Sequence, residues 1–398
     1  MKYICRLGYG DSLPKEEGLD GSVPVFGSNG QYAVTSTRNT DIPAIVIGRK
    51  GSYGKVNWAS NGCFASDTTF FVDEHLTTSN LRWLYWSLQT LGLDEGSQEA
   101  AVPGLNRESV YEERIYLPST ADQKTVANHL DRETSRIDRL ITEKERMLAL
   151  LEEKRAALIS RVITRGLDPS APLKPSGQEW LGEIPAHWRV LRLKFATSGI
   201  DQGSSPQCYS YPAEPGNLGV LKTGCVNGGE FRERENKALP DETEAFLDSE
   251  VQQGDVLMSR ASGSVDLIGS VAQVARQPAA RLLLSDKIYR FRVRDDVLDR
   301  RFMVLAMSAC YLRHQIRSVI SGAEGLANNI AKSDILEFLL VVPPVHEQER
   351  IVSYLGGAIK RNKVLCESLS ESIALAKERR AALITAAVTG QISIEEMA

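Results

Sequence analysis

From Thr120 to Thr164 the chain has neither Pro nor Gly, and apolar residues at Val126, Leu130, Ile137, Leu140, Met147, Leu151 and Leu158 keep a three/four spacing. That pattern predicts one long amphipathic helix carrying a coiled-coil seam. At 1.5 Å per residue it would be about 65 Å long. A second stripe starts at Glu347 and runs through Ile351, Leu355, Ile359, Leu365, Leu369, Ile373 and Leu383, with Gly356-Gly357 as the expected weak point near its start. An apolar stripe of this length needs a companion, and each stripe offers the other the matching one. Antiparallel pairing of the two is the expectation; packing of each stripe on its own domain is the alternative.

Elsewhere the hydrophobic period shortens. Short β-rich runs such as Ala44-Ile45-Val46-Ile47-Gly48 and Asp255-Val256-Leu257-Met258-Ser259 alternate with Gly, Ser and Asn turns. Helical patterns follow at Leu81 to Leu91 and Phe302 to Ile320. Two mixed α/β segments are therefore expected. Between the long stripes, Gly166 to Gly177 holds three prolines and cannot continue a helix.

The two stripes are copies. Leu117 to Thr164 aligns without a gap on Val342 to Thr389, with 14 of 48 positions identical, including Pro118 on Pro343, Gln123 on Gln348 and Arg155-Ala156-Ala157-Leu158-Ile159 on Arg380-Ala381-Ala382-Leu383-Ile384. A duplicated unit of this size makes the fold class α/β with an internal two-fold repeat: two globular segments, each followed by a long helix. The globular segments align more weakly, Lys2-Tyr3-Ile4 on Lys194-Phe195-Ala196, Ser66-Asp67 on Ser285-Asp286, Leu84 on Leu305, and Gly104-Leu105-Asn106 on the Asn328-Asn329-Ile330 region.

Composition bounds the function. With 398 residues, 42% hydrophobic and 25% charged, the chain can bury two full cores. No apolar run reaches membrane-spanning length, and Met1 to Arg6 lacks a signal-peptide core, so a cytoplasmic location and no membrane partner are expected. The six cysteines do not fall at metal or redox spacing and read as reduced packing residues, and the five histidines are scattered. No metal site is expected. Residues 1–117 carry 10 basic and 14 acidic side chains and residues 175–342 carry 19 and 21. A protein gripping a polyanion by itself usually shows a basic face. Here either folding focuses the cations or a partner supplies much of the grip.

A globular module, a Pro-x-x-x-x-Gln entry (Pro118 to Gln123, Pro343 to Gln348), a long helix ending in Arg-Ala-Ala-Leu-Ile, and the opening Trp180-Leu181-Gly182-Glu183-Ile184-Pro185-x-x-Trp188 together resemble the specificity subunit of type I restriction-modification systems. The turns Val102-Pro103-Gly104-Leu105-Asn106-Arg107 and Gly322-Ala323-Glu324-Gly325-Leu326-Ala327-Asn328-Asn329-Ile330 look like the end-of-module motifs of that family. The resemblance covers the whole chain.

It implies target recognition domains at residues 1–117 and 175–342, each reading one half of a bipartite site in double-stranded DNA. Between and after them it implies a long helix with linker at 118–174 and a second long helix at 343–398, paired as an antiparallel coiled coil that sets the unread spacer. The seam would be formed by Leu130, Ile137, Leu140, Leu151, Leu158, Leu355, Leu365, Leu369 and Leu383. The helices would dock two methyltransferase subunits, which would bind S-adenosylmethionine and flip the target base. Restriction subunits using ATP and Mg would join for cutting. No cofactor is expected in this chain itself. One departure stands out: the first half begins at Met1 where the second is already at Leu193, so the counterpart of the Trp180 to Trp188 opening is missing. A truncated start, or a neighbouring chain filling the place, would account for it.

For DNA contact, Arg49, Lys50, Ser52, Tyr53 and Lys55 lie on a glycine-rich loop after a strand, and Arg260, Ser262 and Ser264 form the counterpart. Lys222 and Thr223 occupy a nearby turn, and Gln202 and Ser204 the module start. Arg and Lys suit guanine edges and phosphates, and glycine lets backbone N–H groups approach a phosphate. A solvated turn with loose charges is the bland alternative.

Catalytic motifs are not found. Gly48 to Lys55 fails as a phosphate-binding loop because five residues separate Gly48 from Gly54 and Val56 stands where a Mg-binding hydroxyl is required. Val342-Pro343-Pro344-Val345 lacks the amide and aromatic of an amino-methyltransferase. Glu235-Asn236-Lys237 has nuclease-like spacing, in a charged segment expected to be exposed and without a metal-binding partner. The expectation is a non-catalytic recognition subunit; an assembly scaffold with two protein-binding modules, or a relative of fused restriction enzymes, are the alternatives.

Overall fold

The computed structural model describes residues 1–13, 21–95, 104–240, 247–320 and 328–398. Two compact units emerge, Met1–Arg146 with Leu369–Ala398, and Met147–Ser368. In the first unit, β1 (Gly8–Tyr9), β2 (Val23–Gly27), β3 (Gly30–Thr35), β4 (Ala44–Gly48), β5 (Val56–Ala59), β6 (Phe64–Ala65) and β7 (Thr69–Val72) precede α1 (Leu81–Leu88) and α2 (Arg107–Glu112). They form a four-stranded sheet of order β1-β7-β4-β5 and a three-stranded sheet of order β3-β2-β6. The run Ala44 to Gly48 is buried along its whole length, which is why it reads as a continuous apolar segment and not as an alternation.

The long helix α3 (Thr120–Arg165) leads to β8 (Leu173–Pro175), β9 (Glu183–Pro185), β10 (Arg189–Arg192), β11 (Thr197–Gln202), β12 (Leu218–Leu221), β13 (Asn236–Ala238), β14 (Val256–Ser259), β15 (Ala261–Ser262), β16 (Val271–Gln273), β17 (Arg281–Leu283) and β18 (Ile288–Val293). Then come α4 (Arg300–Ser308), α5 (Cys310–Ser318), β19 (Asn328–Asn329), α6 (Lys332–Leu336), β20 (Leu339–Val342), α7 (Val345–Val388) and α8 (Ile394–Met397). The second unit repeats β1 to β7 of the first and adds the two-stranded sheets β8-β9, β10-β20 and β15-β19. The repeated sheets have orders β11-β18-β14-β16 and β13-β12-β17, and in each three-stranded sheet the pair β2/β6 or β12/β17 is parallel. The duplication therefore extends through the globular segments, whose sequences have drifted further than the helices.

Both long helices contribute to both units, and within each unit their residues run antiparallel. In the first, Arg380 pairs with Asp138 at 2.8 Å and Lys377 with Glu145 at 3.2 Å. In the second, Asn362 donates to the Leu151 carbonyl at 3.0 Å. The seam differs from the expected one at two of its nine positions. Leu140 is 50% exposed and Leu365 54% exposed, so neither packs in it, and Met147 faces out as well. The covered stripe on α3 instead passes through Leu130, Thr134, Ile137, Ile141, Lys144, Leu148, Leu151, Arg155 and Leu158, a strict alternation of four and three. On α7 it passes through Leu355, Ile359, Asn362, Cys366, Leu369, Ile373, Ala376, Arg380 and Leu383. Polar residues in the middle of the seam disguised it. Gly356-Gly357 does not interrupt α7.

The Pro-x-x-x-x-Gln entry is a helix-docking device. Gln123 is buried, donates to the Pro118 carbonyl at 3.0 Å and accepts the backbone N–H of Asn80 at 2.8 Å. Asn80 caps α1, its side chain accepting from Trp83 N. Gln348 treats Pro343 and the α4 cap Asp299 in the same way. The expected helix from Phe302 to Ile320 is two helices, because Ala309 is extended and the Cys310 N–H is taken by Ser160 Oγ at 2.9 Å.

The Trp180 to Trp188 opening packs on the second unit: Ile184 and Trp188 join its core, and the Trp188 indole N–H donates to Glu347 at 2.9 Å. In the first unit, Ile392, Ile394 and Met397 of the same chain join the core that contains Met1.

Candidate nucleic-acid interface

In the first unit the strand β4 delivers Arg49 at its end, and Gly54, with φ +79°, lets the following turn fold back against the Leu93–Asp94 backbone, where a Cβ would collide. The Arg49 guanidinium donates to the Asp67 carbonyl at 2.8 Å and lies over the rings of Tyr9 at 5.1 Å and Phe70 at 5.7 Å. Arg107 stands over the same Tyr9 ring at 5.3 Å, so two guanidinium groups share one half-exposed phenol. Lys55 donates to the backbone carbonyl and side-chain oxygen of Asn29 at 2.9 and 3.1 Å. Beside these groups is a cavity of about 370 Å³ lined by Ser28, Asn29, Gln31, Tyr32, Asp67 and Thr68.

The second unit builds the same arrangement. Arg260 follows β14, donates to the Asp286 carbonyl at 3.3 Å and lies 5.9 Å over the Tyr289 ring, which Lys332 also approaches at 5.5 Å. Burial pushes the Tyr289 phenol above its ordinary value, against the pull of Arg260. Backbone partners correspond too: Arg49 N–H donates to Thr68 and Arg260 N–H to Lys287, while the Arg49 and Arg260 carbonyls accept from Leu105 and Ile330. Gln202 donates to the Asp286 carbonyl at 2.8 Å, and Ser205 bonds the Asp286 carboxylate. A cavity of about 540 Å³ opens here, with Lys222, Thr223, Lys237, Ser285, Asp286 and Lys287 in its wall. Among the described residues no carboxylate forms an ion pair with Arg49, Lys55, Lys222, Lys237, Arg260 or Lys287, and the Nε atoms of Arg49 and Arg260 are both buried without a hydrogen bond.

The structure thus groups Arg49 and Lys55 at one cavity, and Gln202, Lys222, Thr223 and Arg260 at the other. Lys50 and Ser52 are exposed on the loop tip, Tyr53 is partly covered there, and Ser204 is exposed at the end of β11. Ser262 pairs with Asn328 in the β15–β19 ladder, and Ser264 lies beyond it on an exposed turn. The residues 102, 103 and 322–327 of the end-of-module turns lie outside the described residues; Leu105 and Ile330 are the parts that bond the arginine loops. Sequence reasoning missed Tyr9, Asn29, Gln31, Arg107, Lys287 and Tyr289. Tyr9 and Gln202 occupy one register position, opposite Phe70 and Tyr289. The Ser66-Asp67 to Ser285-Asp286 alignment was the available signal for Lys287 and Tyr289, which it sets on Thr68 and Phe70.

Among the described residues no three His, Cys, Asp or Glu side chains are placed to hold a metal ion, and no helix is long and apolar enough to cross a membrane. Asn236, expected in an exposed segment, is buried in β13, where it accepts the Ala213 N–H and donates to the Glu233 carbonyl. Cys5, Cys63 and Cys225 are packing residues whose thiols burial pushes up to about 11, 11 and 12, whereas Cys310 is exposed.

No family model matches the chain. It is 27% identical over 233 residues to the EcoEI type I restriction enzyme specificity subunit of Escherichia coli, covering 58% of this chain and 38% of that protein. It is 22% identical over 284 residues to the EcoKI specificity subunit of Escherichia coli K12, covering 71% and 58%. The chain thus spans between a third and three fifths of these two relatives. A solved chain, described with the complex assembly and conformational transition of the type I restriction-modification system, matches with a TM-score of 0.67 at 16% identity, over 98% of this chain and 97% of that one. The resemblance read from the sequence is shared by these relatives, and the fold, two α/β units with an antiparallel pair of long helices, is that of the solved chain.

Proposed function

We propose that the chain is the DNA sequence-specificity subunit of a type I restriction-modification complex, each unit reading one half of a bipartite target. The observation that carries this is the same cation site built twice: Arg49 and Arg260 leave equivalent strands, bond equivalent carbonyls and lie over equivalent rings, while the loops around them differ. One scaffold with two divergent polar surfaces suits two different half-sites. The specificity role of the relatives agrees with it.

The long helices set the spacer and dock two methyltransferase subunits, which bring S-adenosylmethionine and the catalysis; restriction subunits use ATP and Mg. The chain's own task is non-catalytic. Division of labour explains the charge. With a net charge of −4, the chain relies on local cations for register and on its partners for the rest of the DNA clamp. Methylome sequencing of cells carrying the chain with its methyltransferase, against cells lacking only the chain, tests the proposal. One bipartite methylated motif that vanishes with the chain is expected. An unchanged methylome beside an active methyltransferase would leave an assembly scaffold as the better account.

A further inference from the structure

The two polar cavities occupy the same place in the two units. In the first, β2 and β6 run parallel, with Val25 beside Phe64 and Phe26 beside Ala65; in the second, β12 and β17 do so, with Gly219 beside Leu282 and Val220 beside Leu283. Each cavity opens just beyond the carboxyl ends of its parallel pair, where one strand turns back into its own sheet and the other leads into the four-stranded sheet. Each is bordered by its arginine loop through the Asp67 or Asp286 carbonyl.

The linings differ in chemistry. The first offers carboxamides and hydroxyls: Gln31 and Tyr32 are exposed, and Asn29 is held by Lys55. The second offers ammonium groups from Lys222, Lys237 and Lys287. One exchange shows what the difference does. In the first unit the buried Ser66 hydroxyl is paired with Thr68 Oγ1 at 2.8 Å. In the second, Lys287 stands where Thr68 does, and the equivalent Ser285 hydroxyl, 4% exposed, has no hydrogen-bond partner. A buried hydroxyl left unpaired in the wall of an open polar cavity calls for a ligand group that completes it.

A carboxamide matches the donor and acceptor on the major-groove edge of adenine, whereas Lys donates to the two acceptors of guanine, N7 and O6. We infer that these twin cavities are the base-reading sites, Gln31 selecting adenine in one half-site, and Lys222 and Lys287, beside the unpaired Ser285 hydroxyl, selecting guanine in the other. This rests on the proposed DNA-reading role and adds to it which residues specify which base.

The test is the methylated consensus in cells carrying the chain and its methyltransferase, for the unaltered protein and for Gln31→Ala, Lys222→Ala and Lys287→Thr, the last restoring the pairing seen at Ser66. Each variant is checked for co-purification with the methyltransferase, and Lys287→Gln replaces Lys287→Thr if that one fails to assemble. The unaltered motif is expected to hold an A·T pair in one half and a G·C pair in the other. Gln31→Ala should relax the adenine position alone. The lysine variants should relax the guanine position alone, preference over other bases falling about tenfold. A uniform fall in methylation with an unchanged consensus would make these side chains phosphate contacts and overturn the inference, as would no change at all. Absence of any bipartite motif in the unaltered protein would instead bring down the DNA-reading role, and this inference with it.

Discussion

The side-chain carbonyl of Gln348 accepts the backbone N–H of Asp299 at 2.8 Å, while its amide donates to Val297 and Pro343. One buried residue at the root of α7 thereby holds the start of α4 and the turn that feeds the long helix. Removing it leaves a buried N–H and two carbonyls unpaired. Gln348→Ala should destabilise the protein by about 2–4 kcal/mol, read as a lower urea midpoint. Gln123→Ala, which frees Asn80 N–H and the Pro118 carbonyl, should lose less, because the Gln123 amide has one carbonyl partner where Gln348 has two. Equal losses would mean that the extra Val297 bond contributes nothing.

Trp188 is the anchor of the second unit's opening. Its indole N–H meets Glu347, the residue next to Gln348, and its ring lies against Gly166, where a Cβ would come within 3.0 Å. Trp188→Phe keeps most of the apolar burial and loses one hydrogen bond to a carboxylate, costing about 1.5–3 kcal/mol. Trp188→Ala adds a cavity and should cost about 3–5 kcal/mol. Thermal unfolding of the two variants checks the order; a Phe variant as stable as the unaltered protein would show that the Glu347 bond contributes nothing.

The long helices and their repeat were legible because 3.6-residue periodicity survives in a run free of Pro and Gly. Pro118, Gln123 and Trp188 were legible as motif residues, although their task, capping a neighbouring helix or anchoring a linker, exists only in three dimensions. The middle of the seam was hidden, since Lys144, Arg155, Asn362 and Arg380 sit there as polar residues while Leu140 and Leu365 face outward. The break at Ala309 was hidden for a related reason: nothing local forbids a helix, and the deciding partner, Ser160, lies 150 residues away in the chain. At the candidate sites the arginine loops were legible as charged, glycine-rich turns after strands. The cavities were not, because Gln31 reaches one from a strand and Lys287 the other from a turn, in sheets whose pairing no single segment reveals.

The corrected seam makes a direct contrast. Ile141 is buried and Leu140, its neighbour, is half exposed. Ile141→Ala should cost about 2–4 kcal/mol, near the loss expected for a buried aliphatic side chain. Leu140→Ala should stay within about 0.5 kcal/mol of the unaltered protein. Circular dichroism melts of both variants decide it, and a larger loss at Leu140 would restore the seam read from sequence alone.

Burial holds the Cys225 thiol neutral, pushing it from 9.0 to about 12, with the Glu235 carboxylate adding to the shift. The folded state thus keeps a proton that the unfolded chain gives up first, and stability falls as pH rises from about 9 towards 12. At pH 10 this one thiol accounts for roughly 1 kcal/mol of lost stability. Urea titrations at pH 8 and pH 10 should show a smaller drop in Cys225→Ala, which has no proton to lose. A drop of the same size in both proteins would remove Cys225 as the cause.

Arg49 and Arg260 give the sharpest test of the DNA-reading role, because their geometry separates charge from support. Each guanidinium spends one N–H on a backbone carbonyl and rests on aromatic rings, which fixes its plane; its Nε is buried and unpaired, and no carboxylate among the described residues neutralises it. A group held in place without a counter-charge is preorganised for an anion or for a base edge rather than for the fold. Arg49→Ala and Arg260→Ala should therefore leave the thermal midpoint of the protein little changed. DNA affinity of the assembled complex should fall about 5- to 100-fold for each. Lysine at either position keeps the charge but loses the planar fork, so Arg49→Lys should recover only part of the loss. If either Ala variant bound target DNA as tightly as the unaltered complex, its arginine would be a stacking residue of the fold and the two-fold cation site would no longer support a DNA-reading role.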